Sequence, residues 1–486
     1  MSGFIRHLAE LRRQNSHSRI SFVSGNFRVI HAGHIRLLRF AREMADMLVV
    51  AVLPRSSENA SFHEQDRREG VCALSMVDYA EILDGDLRDA LRALRPDFVV
   101  KGPEHKRQAN PEREVLATTG GRLIFAAGAT MPSAVDIAGQ GASGLGLLYC
   151  PNGYLKRRSI ALSDLSDLLT SMRGLKVIVA GDVIVDEYIQ CDPLGMSQED
   201  PTIVVSPVSH QKYLGGAGIV AAHAAGLGAK VQFLSVCGQD EAANFVRKRL
   251  QEDSVTAYIA ADESRPTILK QRFRCKGKTL LRVSHLRQHA VDKDISSFLL
   301  DSVASVWEKT DLLIFSDFNY GCLPQPFVDE LSQCAHDHGV KIVADSQSSS
   351  QVGDVSRFHG AALLTPTERE ARLAAHDFES GLVVLAETLR RKAHACNVIV
   401  TLGESGMLIH QHPENTDQLP ALNPVAIDVA GAGDSLLVCA SLALAVGGNI
   451  WQAACLGALS AAIQIGREGN IPLTTEDIAL QLKTWF

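Results

Sequence analysis

The chain has 486 residues, enough for two to four domains of ordinary size. Hydrophobic residues make up 46% and charged residues 21%, so the chain can bury sizeable cores, which excludes a mainly disordered protein. Its 55 acidic and 48 basic side chains leave a formal net charge of −7. That balance argues against a protein built around a nucleic-acid backbone or an anionic membrane surface.

Targeting and redox signals indicate a cytoplasmic protein. The first twenty residues contain no long apolar run, so we expect no secretory signal. The longest apolar stretch, 435–446, is too short to span a bilayer and predicts a buried helix. Ten cysteines are scattered without a CxxC pair, which favours reduced thiols in a core over disulfides or a zinc site.

The first part of the chain alternates strand-like and helix-like segments. Such alternation predicts α/β layers with mainly parallel sheets. Strands are expected at 20–24, 47–53, 98–101 and 122–126, with a helix over 34–45. We interpret 20–138 as one small doubly wound domain that follows an N-terminal extension, 1–19.

A stretch rich in glycine and serine, 139–146, begins a linker that we expect over 139–160. A helix is predicted near 162–172 and a buried strand at 175–180. The pattern then continues to residue 486, which favours one large α/β domain over 161–486. Two segments, 201–206 and 268–284, have the character of antiparallel strands outside the main sheet and predict a small β flap.

A histidine pair follows the first predicted strand. His31 and His34 are three residues apart across Gly33, at the start of the predicted helix. That spacing puts both imidazoles on one side, near unpaired backbone N–H groups. Imidazole N–H groups and a helix N-terminus can stabilise the charge that builds on an attacked phosphate. Gly33 allows a nucleotide to approach, because a side chain there would collide with it.

With Gly25, Phe27 and the strand 98–101 ending in Lys101, this segment resembles the HxGH nucleotidyltransferases over 20–138. That family includes cytidylyltransferases and sugar-phosphate adenylyltransferases. The resemblance implies a Rossmann-like domain in which His31 and His34 are catalytic. It implies nucleotide contacts from Gly25, Phe27, Gly33, Lys101 and Ser133. Arg28 departs from the family, which usually has aspartate there, and only Ser133 remains of a late phosphate motif.

A glycine-rich turn near the C-terminus precedes a long apolar helix. The small residues 430–433 let backbone N–H groups converge on one point, and the helix adds its positive end. Such a cluster of N–H groups is suited to bind a γ-phosphoryl group during its transfer. Asp434, which lies beside the cluster, is suited to accept the proton of an attacking hydroxyl. The plain structural alternative is a turn capped by an aspartate.

Three further groups fit either a site or ordinary structure. Gly215 and Gly216 precede a small-residue helix, consistent with close approach by a small ligand. Asp182 and Asp186 follow the strand 175–180, where ligands bind in open α/β sheets, and suit sugar hydroxyls or solvated loop positions. Thr401, Gly403 and Gly406 fit a loop passing an adenine or a simple turn.

In this order, the glycine pair, Thr-Leu-Gly-x-x-Gly and Asp-x-x-Gly-Ala-Gly-Asp resemble the ribokinase-like (PfkB) carbohydrate kinases over 160–486. The resemblance implies that Asp434 is the catalytic base and that Gly431, Ala432 and Gly433 form the anion hole. It implies that Glu370 helps to organise Mg²⁺ and that ATP is used, with a monovalent cation as a further cofactor. Ile219 and Thr367 replace asparagines of the family pattern, and Ile219 predicts an altered acceptor.

Segments 182–188 and 196–205 resemble those of heptose-phosphate kinases. Together, the two halves resemble the bifunctional enzymes of ADP-heptose synthesis, with a domain order that we expect to be reversed. The resemblance implies a cytoplasmic homo-oligomer that acts on sugar phosphates and nucleoside triphosphates, without nucleic-acid or membrane partners. One alternative is a single-activity kinase with a non-catalytic first domain. Another is a catalytically inactive sugar-nucleotide sensor.

Overall fold

A computed structural model describes residues 3–27, 30, 32–54, 64–102, 110, 112–125, 148–275, 278–348, 353–413, 415–423 and 426–485. The chain divides into two compact units, Met1–Leu145 (unit 1) and Gly146–Phe486 (unit 2). In these described residues, no helix combines the length and apolar character needed to cross a membrane. None of the ten cysteines forms a disulfide, and seven of them are buried, as predicted.

Unit 1 is built on a five-stranded parallel sheet with the order β3-β2-β1-β4-β5. The strand order reverses between β1 and β4, and ligands bind in the crevice at such a reversal, beyond the strands' carboxyl ends. The strands are β1 Ile20–Gly25, β2 Met47–Val52, β3 Tyr79–Ile82, β4 Phe98–Lys101 and β5 Arg122–Phe125. The helices are α1 Gly3–Gln14, α2 Ala32–Glu43, α3 Glu64–Cys72, α4 Leu87–Leu94 and α5 Glu112–Thr119.

Both faces of this sheet are covered. Phe22 packs with residues of α1, α4 and α5, whereas the next residue, Val23, packs with residues of α2 and α3. Successive strand residues point to opposite faces, so both layers are apolar. Ile5 and Leu8 of α1 are buried in the first layer. The structure therefore corrects the predicted extension 1–19: its helix belongs to the unit's core.

Unit 2 contains a nine-stranded sheet with the order β10-β9-β6-β13-β14-β15-β16-β17-β18. The strands from β10 to β16 are parallel, and β17 and β18 pair antiparallel to their neighbours. Their bounds are β6 Lys176–Gly181, β9 Lys230–Cys237, β10 Thr256–Ala261, β13 Leu312–Asp317, β14 Lys341–Ser346, β15 Leu363–Leu364, β16 Asn397–Thr401, β17 Met407–Gln411 and β18 Asn415–Leu419.

Helices cover both faces of the large sheet, because neighbouring residues such as Ile178 and Val179 belong to different apolar clusters. The α-helices of unit 2 are Asn152–Arg158, Leu162–Ser171, Ala217–Gly226, Glu241–Glu252, Lys293–Val303, Gln325–Asp337, Glu368–Ala375, Leu382–Lys392, Ala432–Ala445, Ile450–Ile465 and Thr475–Lys483. Short 3₁₀ helices span Trp307–Lys309, Val355–Arg357 and Gly403–Ser405.

A four-stranded sheet with the order β12-β11-β7-β8 forms the small flap that the sequence predicts. Its strands are β7 Val183–Met196, β8 Ile203–Gly216, β11 Ile268–Cys275 and β12 Lys278–His285. β7 is antiparallel to β8 and parallel to β11. Several large apolar side chains of the flap are exposed: Leu194, Met196, Ile203, Val208 and Leu281.

The predicted linker, 139–160, needs correction in its second part. Leu148 and Tyr154 are buried in the core of unit 2, where the Tyr154 hydroxyl donates to the Trp451 carbonyl at 2.9 Å. Arg158 lies over the Trp451 ring and pairs with Asp417 at 2.7 Å. Residues from 148 onward are therefore part of this unit, and 139–147 lie outside the described residues.

Candidate active sites

The carboxyl end of β1 in unit 1 is shaped by an aromatic pair. Phe27 has a φ of 43° and is buried, and its ring centroid lies 5.0 Å from that of His34. A Cβ on Gly25 would lie 3.0 Å from the Phe27 ring, so the glycine makes room for it. Gly25 and Phe27 pack together near the start of α2, and their contacts with a nucleotide stay predictions.

Only part of the histidine motif lies in the described residues. Gly33 and His34 are the second and third residues of α2, at the crevice between β1 and β4. The helix begins at this point, and the binding of a phosphate by its N-terminal N–H groups stays a prediction. His31, Arg28 and Ser133 lie outside the described residues, and their roles remain predictions.

Lys101 at the end of β4 has a carboxylate partner that sequence reasoning missed. Its Nζ donates to Glu112 Oε1 at 2.7 Å and to Asn110 Oδ1 at 3.1 Å. Glu112 is buried, so the lysine charge is neutralised in the structure instead of facing an open phosphate site. Nearby, Arg67 donates to the carbonyls of Asn26 and Leu53 and so ties the ends of β1 and β2 together.

In unit 2, the predicted anion hole lies at the N-terminus of the helix Ala432–Ala445. Gly431 precedes that helix with a φ of 74°, and a Cβ there would lie 2.5 Å from Asn470 Oδ1. No other residue fits this position without strain. A Cβ on Gly433 would meet nothing within 4 Å, so the space beside it is open. The N–H groups of the first helical turn lack intrahelical acceptors and can bind an anion.

Asp434 lies in that first turn and is only 5% exposed. Burial raises the pKa of Asp434 to about 7, Asp186 and Glu370 add to the rise, and Lys270 opposes it. A carboxylate with a pKa near neutrality is suited to general base catalysis, because it is partly ionised and still accepts a proton readily.

Lys270, on flap strand β11, is a cationic residue near Asp434 that the sequence did not single out. Its Nζ lies 5.3 Å from the Phe318 ring centroid and 5.1 Å from that of Tyr320. Its charge acts on both Asp186 and Asp434. The flap therefore brings an ammonium group to the base. Period-two spacing on a strand also puts Arg272 and Arg274 on the same face as Lys270.

Asp186 lies where the flap meets the anion hole. Its Oδ1 is 3.4 Å from Arg272 Nη2, and its Oδ2 accepts from Asn470 Nδ2 at 3.3 Å. Burial raises its pKa, while Arg272 and Lys270 lower it. Because Asn470 also lies against Gly431, the predicted acceptor-binding carboxylate and the anion hole form one site, although they are far apart in sequence.

Gly215 and Gly216 leave space for atoms of Asp186 and Asp182. A Cβ on Gly215 would lie 2.3 Å from Asp186 Oδ2, and one on Gly216 would lie 2.3 Å from the Asp182 carbonyl oxygen. Gly216 also has a φ of 59°. The glycines allow residues 182–186 to approach closely where β7 pairs with β8, and the predicted approach by a ligand stays a prediction.

Asp182 is fully engaged by backbone donors. Its carboxylate accepts from the N–H groups of Phe318 at 2.9 Å, Tyr320 at 3.3 Å and Cys322 at 3.1 Å. Burial and the nearby Asp317 raise its pKa to about 6. Asp182 therefore orders the loop after β13, and its contact with sugar hydroxyls stays a prediction.

Glu370 also has protein partners on both oxygens. Oε1 accepts from the Ser348 N–H at 2.8 Å, and Oε2 accepts from the Thr367 N–H and hydroxyl at 2.8 and 2.7 Å. Thr367 and Glu370 form a capping box for the helix Glu368–Ala375. In the described part of the chain, no group of three or more metal-ligand side chains occurs.

The predicted adenine loop is partly structural. Thr401 N–H donates to the Pro366 carbonyl at 2.9 Å, and a Cβ on Gly406 would lie 2.1 Å from the Leu419 carbonyl oxygen. Gly403 has a φ of 58°, and a Cβ there would meet nothing within 4 Å. Of the two glycines, Gly403 has open space beside it and Gly406 does not.

The comparisons with known proteins agree with this division. The family model "pfkB family carbohydrate kinase" matches residues 176–477, more than half of the chain. The chain belongs to the pfkB family of carbohydrate kinases. A second model, "Cytidylyltransferase-like", matches residues 22–121 of unit 1.

Curated relatives of this pfkB-family chain include "Bifunctional protein HldE" of Pseudomonas aeruginosa PAO1, which is 32% identical over 304 residues. That match covers 62% of each chain. The protein of the same name from Syntrophotalea carbinolica is 28% identical over 320 residues, 65% of this chain and 64% of the relative. The chain thus matches less than two thirds of these relatives' length. A reversed domain order is not borne out by these matches.

Solved structures show the fold of the kinase unit. Arabidopsis thaliana ribokinase complexed with ribose and ATP matches with a TM-score of 0.50 and 16% identity. Phosphofructokinase-2 from Escherichia coli in complex with potassium matches with a TM-score of 0.52 and 15% identity. Each match covers 64% of this chain and 99% of the solved one.

Sequence reasoning assigned no role to a group of polar side chains at the ends of two neighbouring strands of the pfkB unit, although segment 316–321 resembles a strand end of heptose-phosphate kinases. Asp317 ends β13 and pairs with Arg357 at 2.8 Å, and Asp345 lies near the end of β14, followed by Gln347. Burial, Glu370 and Asp434 raise the pKa of Asp345 well above its ordinary value. A polar run directly after an apolar strand was the available signal, because ligands bind at that edge.

Ile219, which predicts an altered acceptor, belongs to the core of unit 2. Its side chain is fully buried in the core of unit 2, within the helix Ala217–Gly226. This packing does not test the altered acceptor that Ile219 predicts, which stays a prediction.

Proposed function

We propose that the chain is a bifunctional enzyme. Unit 2 would transfer the γ-phosphoryl group of ATP to a hydroxyl of a sugar phosphate. Unit 1 would join a nucleoside monophosphate to a sugar 1-phosphate and release pyrophosphate. The observation that carries the proposal is Asp434, a buried carboxylate with a pKa near 7 at an open helix N-terminus.

The phosphoryl transfer follows from this geometry. Asp434 takes the proton of the acceptor hydroxyl, whose oxygen forms the new bond to phosphorus while the bond to the ADP oxygen breaks. The N–H groups at Gly433 and Asp434 stabilise the phosphoryl oxygens. Lys270 places positive charge near the base and the acceptor carboxylate, Asp186. Its charge suits an acceptor that is itself anionic.

Magnesium would be bound mainly by the ATP phosphates. Glu370 is held by Ser348 and Thr367, so it is better suited to orient a metal-bound water than to be a direct ligand. Mg²⁺ commonly keeps several waters and uses one or two carboxylates plus substrate phosphates. This fits a site with no ready-made ligand cluster in the described residues. The ion would neutralise charge on the transferring phosphate.

A monovalent cation fits beside the anion hole. Asn470 Oδ1 and Gln464 Oε1 are buried and accept no hydrogen bond from the described residues. The Gln464 amide donates to the carbonyls of Gly469 at 3.0 Å and Ala430 at 3.5 Å. Amide and carbonyl oxygens are suitable ligands for such an ion. Replacing K⁺ by a large organic cation should then lower the kinase rate.

The acceptor and assembly complete the proposal. Likeness of 182–188 and 196–205 to heptose-phosphate kinases supports a seven-carbon sugar phosphate and an ADP-heptose-like product. The exposed apolar face of the flap supports a homo-oligomer, because such patches usually mark contact surfaces. Ten reduced thiols support a cytoplasmic location.

The alternative is a single-activity kinase with a non-catalytic unit 1. One observation favours it: the Lys101 charge is neutralised by Glu112. An assay separates the two. Release of ADP from ATP is measured with seven-carbon and six-carbon sugar phosphates, and release of pyrophosphate is measured with ATP or CTP and sugar 1-phosphates. Both releases support the bifunctional enzyme. Release of ADP without release of pyrophosphate supports the alternative. If neither ADP nor pyrophosphate is released, both hypotheses are contradicted.

A further inference from the structure

Gln347 lies between two buried carboxylates of the kinase unit. Its Nε2 donates to Asp434 Oδ1 at 3.4 Å, and its side chain lowers the pKa of Asp345, two residues earlier in the chain. A side-chain amide carries two N–H donors and can serve both acids at once. Neither the pattern of motifs nor the family resemblance points to this residue.

The backbone holds Gln347 firmly in this place. Its N–H donates to the Asp317 carbonyl at 2.8 Å, and its own carbonyl accepts from Asn319 Nδ2 at 3.0 Å. Asn319 has a φ of 60°, which an asparagine tolerates better than most residues. Hydrogen bonds to its N–H and carbonyl groups therefore fix the backbone from which the Gln347 side chain extends.

We propose that Gln347 is a positioning residue for phosphoryl transfer. Its amide holds Asp434 through Oδ1, leaves Oδ2 for the acceptor hydroxyl, and separates the base from Asp345. In the described residues, Asp434 Oδ2 accepts no hydrogen bond. An amide does not titrate, so it stabilises both ionised acids without becoming a competing proton acceptor.

The charged surroundings make this role necessary. Asp434 faces Asp186 and Lys270 on the flap and Glu370 on its helix, and Asp345 faces Glu370, Asp434 and Asp317. Asp345 Oδ1 has no partner in the described residues. Without the amide, one of the two acids would retain a proton to a higher pH.

The first test needs no substrate. Gln347→Met keeps the side-chain length and removes the donor. Gln333→Met is the matched control, because Gln333 Nε2 donates to the exposed Asp337 at 2.7 Å outside the site. Melting of the full chain is followed by calorimetry at pH 5 and pH 8.5.

The sign follows from the raised pKa values of both acids. A carboxyl whose folded pKa is raised loses stability as pH rises from the unfolded value through the folded one. Gln347→Met raises these values further, so the loss is larger where both acids are ionised. We expect the melting temperature to fall by about 2–4 °C at pH 8.5 and by less than half of that at pH 5. Equal shifts at both pH values, or none, would overturn the inference.

The second test rests on the proposed function. With an acceptor that the wild type phosphorylates, Gln347→Met should shift the acidic limb of kcat/KM upward by about one pH unit. Relative to the wild type, kcat/KM of Gln347→Met should fall by about tenfold at pH 6.5 and by less than about threefold at pH 8.5. A loss equal at all pH values indicates a merely structural role. If no sugar phosphate is an acceptor, the proposed function fails while calorimetry still decides on Gln347.

Discussion

The lysine at the candidate site of unit 1 is paired with a carboxylate, whereas the lysine at the candidate site of unit 2 has no such partner in the part of the chain that the structure describes. In unit 1, Lys101 at the end of β4 forms a 2.7 Å ion pair with the buried Glu112. In unit 2, Lys270 forms no salt bridge with any described residue, and the carboxylates around it have raised pKa values. Both sites lie at the carboxyl edge of a parallel sheet, so topology alone does not explain the difference.

The comparison shows that the position of a site in the fold and the balance of charges within it are independent properties. Crowded acids and an unpaired cation weaken the folded state, and such uncompensated groups cluster at functional sites. Unit 2 therefore has the electrostatics of a site prepared for a charged ligand. Unit 1 has the topology of such a site, but its lysine must exchange Glu112 for a triphosphate before it can contribute charge.

The largest expected effect comes from removing the base in unit 2. Asp434→Asn should lower sugar-phosphate phosphorylation by about 10²–10⁴-fold, because the acceptor proton loses its acceptor. Pyrophosphate release by unit 1 should remain at the wild-type rate. Both rates are measured on one preparation, with Asp329→Asn as a surface control. A parallel fall in both rates would show that the two sites are coupled.

Unit 1 offers the reciprocal test. His34→Ala should lower pyrophosphate release by about 10²-fold, the effect of removing one transition-state donor, and leave the kinase rate unchanged. His17→Ala, an exposed histidine of the same unit, is the control. An unchanged rate in His34→Ala would remove this histidine from catalysis, whereas no activity in the wild type would make the unit non-catalytic.

Next in size is a pH effect confined to unit 2. Because burial raises the pKa of Asp434 to about 7, kinase kcat/KM should fall nearly tenfold per unit below pH 6.5 and level off above pH 8. Lys270→Met should move this limb to higher pH, because the lysine charge lowers that pKa. A profile that is flat between pH 5.5 and 8 would contradict Asp434 as the base.

Local sequence was a good guide to the strands and to the loops that follow them. Strand 98–101 is observed with its predicted bounds, and the histidine motif follows the parallel strand β1, whereas the glycine-rich turn 430–433 comes after the antiparallel strand β18. The reason is that apolar runs and turn residues are local signals. The glycine-rich turn before the helix Ala432–Ala445 was predictable because its residues are consecutive, and its role as an anion hole stays a prediction.

Partners that are distant in sequence were not predictable. Asp182 is occupied by the N–H groups of 318–322, and Gly215 is required by Asp186 on the neighbouring strand. Nothing local to Lys101 indicates Glu112, which comes from a different element. The same limit applies to Gln347, whose importance depends on Asp434 nearly ninety residues away.

The smallest expected effect concerns the neutralised lysine of unit 1 and tests the comparison directly. Glu112→Gln keeps an acceptor for Lys101 but removes the opposing charge, so the lysine becomes free to attract phosphate. We expect the affinity for ATP or CTP at unit 1 to rise by about three- to tenfold, on the scale of one exchanged ion pair. Glu114→Gln, exposed on the same helix, is the control. Titration calorimetry on the full chain carrying Asp434→Asn measures binding, and pyrophosphate release gives the accompanying KM. A rise only in Glu112→Gln would show that unit 1 is a nucleotide site restrained by its own carboxylate. An affinity equal to that of the control would show that the ion pair is structural, and Lys101 would then be withdrawn as a phosphate contact.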